Sequence, residues 1–203
     1  MPENVLRGDE LAWTLVTEKE PAVICQQADV QYDFTANKLI MESFGQELLV
    51  DIAGYAITSH SALGERVLHD LGYFFDLAAI WYLGKAVNRP PSGKLVSPSS
   101  LSGGEMLHRE TNTLPLHQLA ARYGTDFDGF YKRGMELGGQ RMEHGDACLR
   151  LYPFPRVPVT LVLWAPDKNF HARTDMFFDA TCEQHLPGDA IWSTAMTTVL
   201  IML

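Results

Sequence analysis

Apolar positions change their period several times along the chain. Between Glu3 and Val16 they fall at Val5, Leu6, Leu11, Ala12, Leu15 and Val16, a helical spacing that Pro21 closes. Three β-prone runs follow, Val30 to Phe34, Lys38 to Phe44 and Glu47 to Ile52. Ala36-Asn37 and Gly45-Gln46 separate them, which predicts a small antiparallel meander. From Glu65 to Val87 the chain is richly apolar and stops at Asn88, Arg89 and Pro90-Pro91, so the longest helix is expected here, central to the core. Its polar exceptions, Glu65, His69, Gly72 and Asp76, recur at three and four and form one narrow stripe. Polar residues favour water, so the stripe is expected to face solvent, with a pocket-lining role as the alternative.

The stretch Pro90 to Gly104, rich in Pro, Ser and Gly, reads as an irregular crossing within a single domain, residues 1–203, with a β-prone piece at Lys94 to Ser97. Ser102-Gly103-Gly104-Glu105 has the spacing of a helix capping box. Helices are expected at Leu116 to Tyr123 and Asp126 to Leu137, the second stopped by Gly138-Gly139. Strands are expected at Ala147 to Leu151, Val159 to Trp164 and Asp175 to Asp179, before a last helix from Asp189 to Leu203. Val159 to Trp164 has almost no polar alternation, the mark of a central strand covered on both faces. The prolines of Tyr152-Pro153-Phe154-Pro155-Arg156-Val157-Pro158 remove ladder donors and predict an extended, bent connection presenting Arg156 from a stiff loop. Together these elements make an α+β fold, a mainly antiparallel mixed sheet of about five to seven strands packed on a long central helix and several shorter ones.

Composition narrows the function classes. At 46% hydrophobic and 20% charged residues, the chain is too apolar to be disordered. A net charge of −9 without a dense basic stripe argues against nucleic acid as a partner. Cys25, Cys148 and Cys182 are odd in number and far apart, which suits a reducing, cytoplasmic compartment better than a disulfide framework or zinc finger. The apolar runs Leu77 to Leu83 and Met196 to Leu203 fall short of the roughly 18 residues of a membrane span. An exposed tail would leave a homodimer open.

Four groups of residues carry candidate chemistry. His144, Asp146 and Cys148 alternate; on a strand starting early enough they would share one face at metal-ligand spacing, although a solvated edge before the strand is the favoured reading. His171, Asp179 and His185 could supply a His–carboxylate acid–base pair. Arg156 could grip a carboxylate or phosphate, although pairing with Asp167 or Asp179 to fix its loop is the favoured reading; for a bound ligand these three residues are the expected anchors. Gly103-Gly104 could cradle an anion, but no P-loop, G-x-S-x-G, H-E-x-x-H or G-x-G-x-x-G sequence supports a common nucleotide, hydrolase, zincin or dinucleotide site.

Phe154-Pro155-Arg156-Val157-Pro158, Leu163-Trp164, Asp167, Phe170, Phe178-Asp179 and Leu186-Pro187 resemble the signature of the uncharacterised family DUF3786, as do Gly103-Gly104, Gly138-Gly139 and Gly145-Asp146. The resemblance spans most of the chain and is densest after residue 138. Gly188 departs from it where an acidic residue would precede Asp189, which removes a carboxylate pair there. The resemblance implies a setting in anaerobic bacteria and archaea; some members are joined to iron–sulfur segments whose cysteines this chain lacks. The leading expectation is a cytoplasmic accessory protein binding a small molecule or cofactor, a corrinoid or other tetrapyrrole among the classes considered. A hydrolase- or transferase-type enzyme using a His/Asp pair and a protein-interaction module stand as alternatives.

Overall fold

A computed structural model of the chain describes residues 8–101 and 113–203, with Tyr73 described by its backbone alone. Helix α1 (Gly8–Thr17) buries Ala12 and Val16, one helical turn apart; the expected start at Glu3, with Val5 and Leu6, lies outside the described residues. Pro21, expected to end a helix, instead begins one, α2 (Pro21–Ala28). Proline is tolerated at the first helical position, where its missing N–H would have had no partner. Asp29 ends α2 in the left-handed conformation.

The meander forms as β1 (Gln31–Asp33), β2 (Lys38–Ser43) and β3 (Gln46–Asp51), with a fourth strand that the sequence did not announce, β4 (Ala56–Ser59). They pair antiparallel in the order β1-β2-β3-β4. Leu39 and Met41 sit opposite Val50 and Leu48, so the alternating apolar positions meet on one buried face.

The long helix α3 (Ala62–Lys85) is held at its start by the Ser61 side chain, which accepts from the Gly64 N–H at 2.9 Å. It is broken at Gly72, whose φ of 46° and ψ of −132° suit glycine. The break divides the polar stripe. His69 faces water, Glu65 turns its carboxylate back to accept from the Ser59 N–H at 2.9 Å, and Asp76, beyond the break, turns into a small cavity.

The second sheet has the order β5-β9-β8-β7-β6, formed by β5 (Leu95–Val96), β6 (Gln140–Arg141), β7 (Ala147–Phe154), β8 (Val157–Trp164) and β9 (Arg173–Asp179). Its middle strand, β8, is buried along nearly its whole length, as its unbroken apolar run requires. The α+β class holds. The strands are shared between two sheets where one was expected, and every described pair is antiparallel.

Helices α4 (Leu116–Tyr123), α5 (Phe127–Glu136) and α6 (Gly188–Met202) complete the described α-helices. Asp126 caps α5 by accepting from the Gly129 N–H at 2.9 Å, and Gly138, at φ 66°, closes the chain after it. The apolar tail is buried: Val199, Ile201 and Met202 join the core, and Arg133 donates twice to the Ile201 carbonyl at the end of α6. No helix among the described residues is long and apolar enough to cross a membrane.

The two sheets meet tightly at the β2–β3 turn. Phe44 and Gly45, both with positive φ, make the β2–β3 turn, and the Phe44 N–H donates to the Tyr152 carbonyl on β7 at 2.8 Å. A Cβ built on Gly45 would lie 2.9 Å from the Gly138 Cα, and one built on Gly138 would lie 2.7 Å from the Gly45 Cα. Phe44 is fully buried, so the turn residue is also a core plug.

Candidate functional site

The proline-rich segment is no loop. β7 and β8 run into it from both sides, Phe154 pairs with Val157, and the turn is reduced to Pro155-Arg156, with the register shift between Leu151 and Phe154 absorbing Pro153. Arg156 is consequently not offered to a ligand. Its Nε donates to the Gln27 carbonyl at 2.9 Å, and its Nη2 donates to the Gln26 carbonyl at 3.2 Å and to Asn88 Oδ1 at 3.1 Å. Tyr82 Oη accepts from the Arg156 N–H and donates to the Ala28 carbonyl at 2.6 Å, while the Tyr82 ring stacks on Phe154. Arg156 and Tyr82 thus serve the last carbonyls of α2, which a helix end otherwise leaves without partners. The carboxylate nearest Arg156 is Asp29, at 3.9 Å, rather than Asp167 or Asp179.

Asp179 is likewise an internal anchor. Its carboxylate accepts five hydrogen bonds, from Ser92 N–H and Oγ, Gly93 N–H, and Thr181 N–H and Oγ1. Burial alone would raise its pKa, but these donors from Ser92 and Thr181 outweigh burial and hold it below the usual carboxylate range. His185 lies close enough to feel the charges of Arg156 and Asp179 and is fully buried; burial first, then Arg156, pushes it down to about 4. It is a neutral ring whose Nδ1 faces the Val87 N–H at 3.5 Å. His171 precedes β9 and Asp179 ends it, with the strand between them, Arg173 to Asp179, alone spanning about 20 Å at the rise of an extended strand. The expected His171–Asp179 pair does not assemble, and the Asp179–His185 neighbourhood is closed to water.

The alternating set His144, Asp146 and Cys148 is divided as well. The strand begins at Ala147, leaving His144 and Asp146 exposed in the preceding turn, while Cys148 is buried and its thiol is pushed up to about 11 by burial. Among the described residues no group of three or more His, Cys, Asp or Glu side chains could hold a metal ion. Gly103-Gly104 and the capping box around them lie outside the described residues.

Asp146, Asp167 and His171, drawn from three different expected sets, meet at one place. They line a cleft of about 600 Å³ at the loop end of the β8–β9 hairpin, with Trp164, Pro166, Phe170 and Arg173. The backbone builds it in two steps. Asp146 hydrogen-bonds through its N–H to the Leu163 carbonyl and through Oδ2 to the Ala165 N–H at 2.7 Å, clamping the end of β8. Asp167 then accepts from the Asn169 and Phe170 N–H groups at 2.7 and 2.8 Å, an Asx-type turn that throws the Phe170 ring outward, 73% exposed.

In the same cleft, Trp164 and Arg173 form a cross-strand pair, with the guanidinium 4.8 Å from the indole centroid. The indole N–H donates to Asp175 Oδ2 at 2.8 Å, which fixes the plane of Trp164. The result is a shallow wall of aromatic faces carrying charges of both signs and one histidine. Such a surface can stack a flat molecule and anchor its polar edge; it offers no buried nucleophile and no oxyanion pocket. Trp164, Phe170 and Asp167 stand in the family-like pattern of the sequence, but Arg173 carried no sequence signal, because only strand register sets it against Trp164.

A second cavity, about 590 Å³, lies between the sheets above Gly45 and Gly138 and is lined by Asp29, Glu42, Glu47, Gln31, Gln140 and Tyr152. Its charges are of one sign and it lacks a comparable aromatic wall, so the hairpin cleft is the better ligand site.

The family described as "Domain of unknown function (DUF3786)" matches the chain over residues 20–200. No curated protein and no solved structure matches it.

Proposed function

The chain belongs to the DUF3786 family, and on that footing we propose that it is a binding protein for a small planar molecule, held against Trp164 and Phe170 in the β8–β9 cleft. One observation carries this reading: aromatic faces and anchors of opposite charge, Arg173 against Asp146 and Asp167, converge on one open cleft. The buried Asp179–His185 neighbourhood favours this over the hydrolase or transferase alternative, because an acid–base pair must reach its substrate. A tetrapyrrole or corrinoid has the required flat body and polar rim. An accessory role in the cytoplasm of an anaerobe suits three free thiols.

The test is anaerobic purification followed by absorbance, and then titration with protoporphyrin, hydroxocobalamin, flavin and adenine nucleotides while tryptophan fluorescence is followed. At least one planar compound should bind saturably, with affinity falling on the order of tenfold in Trp164→Ala and in Arg173→Ala. Binding untouched by both changes, or no saturation with any compound, would overturn the proposal. Concentration-dependent self-association through Phe170 would favour the interaction-module reading instead.

A further inference from the structure

A smaller cavity, about 170 Å³, lies between α1, the β3–β4 turn and the second half of α3, remote in sequence from the cleft residues. Its walls include Asp9, Trp13, Tyr55, Ile57, Asp76 and Leu77. The Trp13 and Tyr55 rings meet at 82° with centroids 5.3 Å apart, two aromatic walls of a corner. Tyr55 holds this position from a backbone φ of 52°, a region that L side chains seldom occupy. Asp76 Oδ1 is buried and has no hydrogen-bond donor. Burial pushes the Asp76 carboxyl up to about 6. Asp9 from α1 and Tyr55 from the turn are the other titratable groups on the wall, and no lysine or arginine is among its described residues.

A carboxylate oxygen buried without a donor costs stability even on a half-buried side chain, and packing alone would be served better by an apolar group. A tyrosine at positive φ adds backbone strain. Both features acquire a purpose if a cation enters the corner, because aromatic faces and a partly desolvated carboxylate attract the same charge. A metal ion is a poor occupant: calcium and magnesium take six or more oxygen ligands, zinc takes four, and the described residues hold no group of three metal-binding side chains. We propose that this pocket binds a small organic cation, an ammonium whose head sits in the Trp13–Tyr55 corner against the Asp76 carboxylate.

Choline serves as the probe, beside the uncharged isostere in which carbon replaces the quaternary nitrogen, with calorimetry and heteronuclear NMR of the full chain. Choline should saturate the protein, shift the Trp13 indole N–H resonance and lower the Asp76 titration midpoint, while the isostere binds on the order of tenfold more weakly. Asp76→Asn should weaken choline by a similar factor; should that variant fail to fold, Tyr55→Ala, which removes a largely exposed ring, provides the same reading. Equal binding of the isostere, undiminished binding in Asp76→Asn or Tyr55→Ala, or no saturation at tens of millimolar choline would overturn the proposal. The cleft residues Trp164 and Arg173 take no part, so failure here leaves the planar-ligand reading standing, and the reverse.

Discussion

Replacing Asp179 by alanine tests whether this residue is an anchor of the fold or a ligand contact. The carboxylate accepts from five donors that divide into two kinds. Ser92 and Gly93 are exposed, so their three donors can turn to water and each loses about 0.5 kcal/mol. Thr181 is 2% exposed, and its N–H and hydroxyl would be left buried, at about 1–2 kcal/mol each. Together these give a loss of about 3.5–5.5 kcal/mol for Asp179→Ala, and roughly half of that for Asp179→Asn, which keeps one acceptor. The depressed folded pKa adds a pH signature. The contribution is complete above the unfolded carboxylate value of about 4 and is lost as pH falls through the lower folded value. Urea denaturation of both variants at neutral pH, repeated toward acid, reads the midpoint and slope. A loss under about 1 kcal/mol for Asp179→Ala, or an acid limb unchanged from that of the parent chain, would refute the assignment and return Asp179 to the ligand candidates.

Two further outcomes follow from buried groups. His185, held neutral with a folded pKa of about 4 against an unfolded value of about 6.5, makes stability full above pH 6.5 and removes about 3 kcal/mol as pH falls through the folded value; His185→Gln should flatten that limb in urea midpoints measured across this window, and a steep limb in the variant would count against it. Gly45→Ala should lose about 2–4 kcal/mol, since the new Cβ meets the Gly138 backbone at a positive φ; thermal melting within a degree or two of the parent would show that the sheet junction gives way freely.

Much of the architecture was legible from local chemistry. The meander, α3, α5 with its glycine stop, the doubly covered β8 and the final helix all follow from hydrophobic period and terminal signals, which act within a few residues of one another. Helix α2 was missed because Pro21 signals a helix start as readily as a stop. Strand β4 was missed because four residues with little apolar content become a strand only by pairing with β3. The proline segment was read as a loop because local donors were counted, whereas the β7–β8 pairing on either side decided its path.

The candidate residues divided along the same line. Sequence by itself determined which side chains could act: Arg156, Asp179 and His185 stood out by type, as did Asp146, Asp167 and His171. Tertiary structure alone decided their employment. It closed the first three around the α2 terminus and the Ser92-Gly93 strap, with their polar groups largely engaged inside the chain. It opened the second three onto a common cleft with Arg173 and Trp164. A residue's chemistry belongs to its side chain, but its access to water and to a ligand depends on which distant segments cover it, and that is set by the packing of two sheets, not by any local pattern.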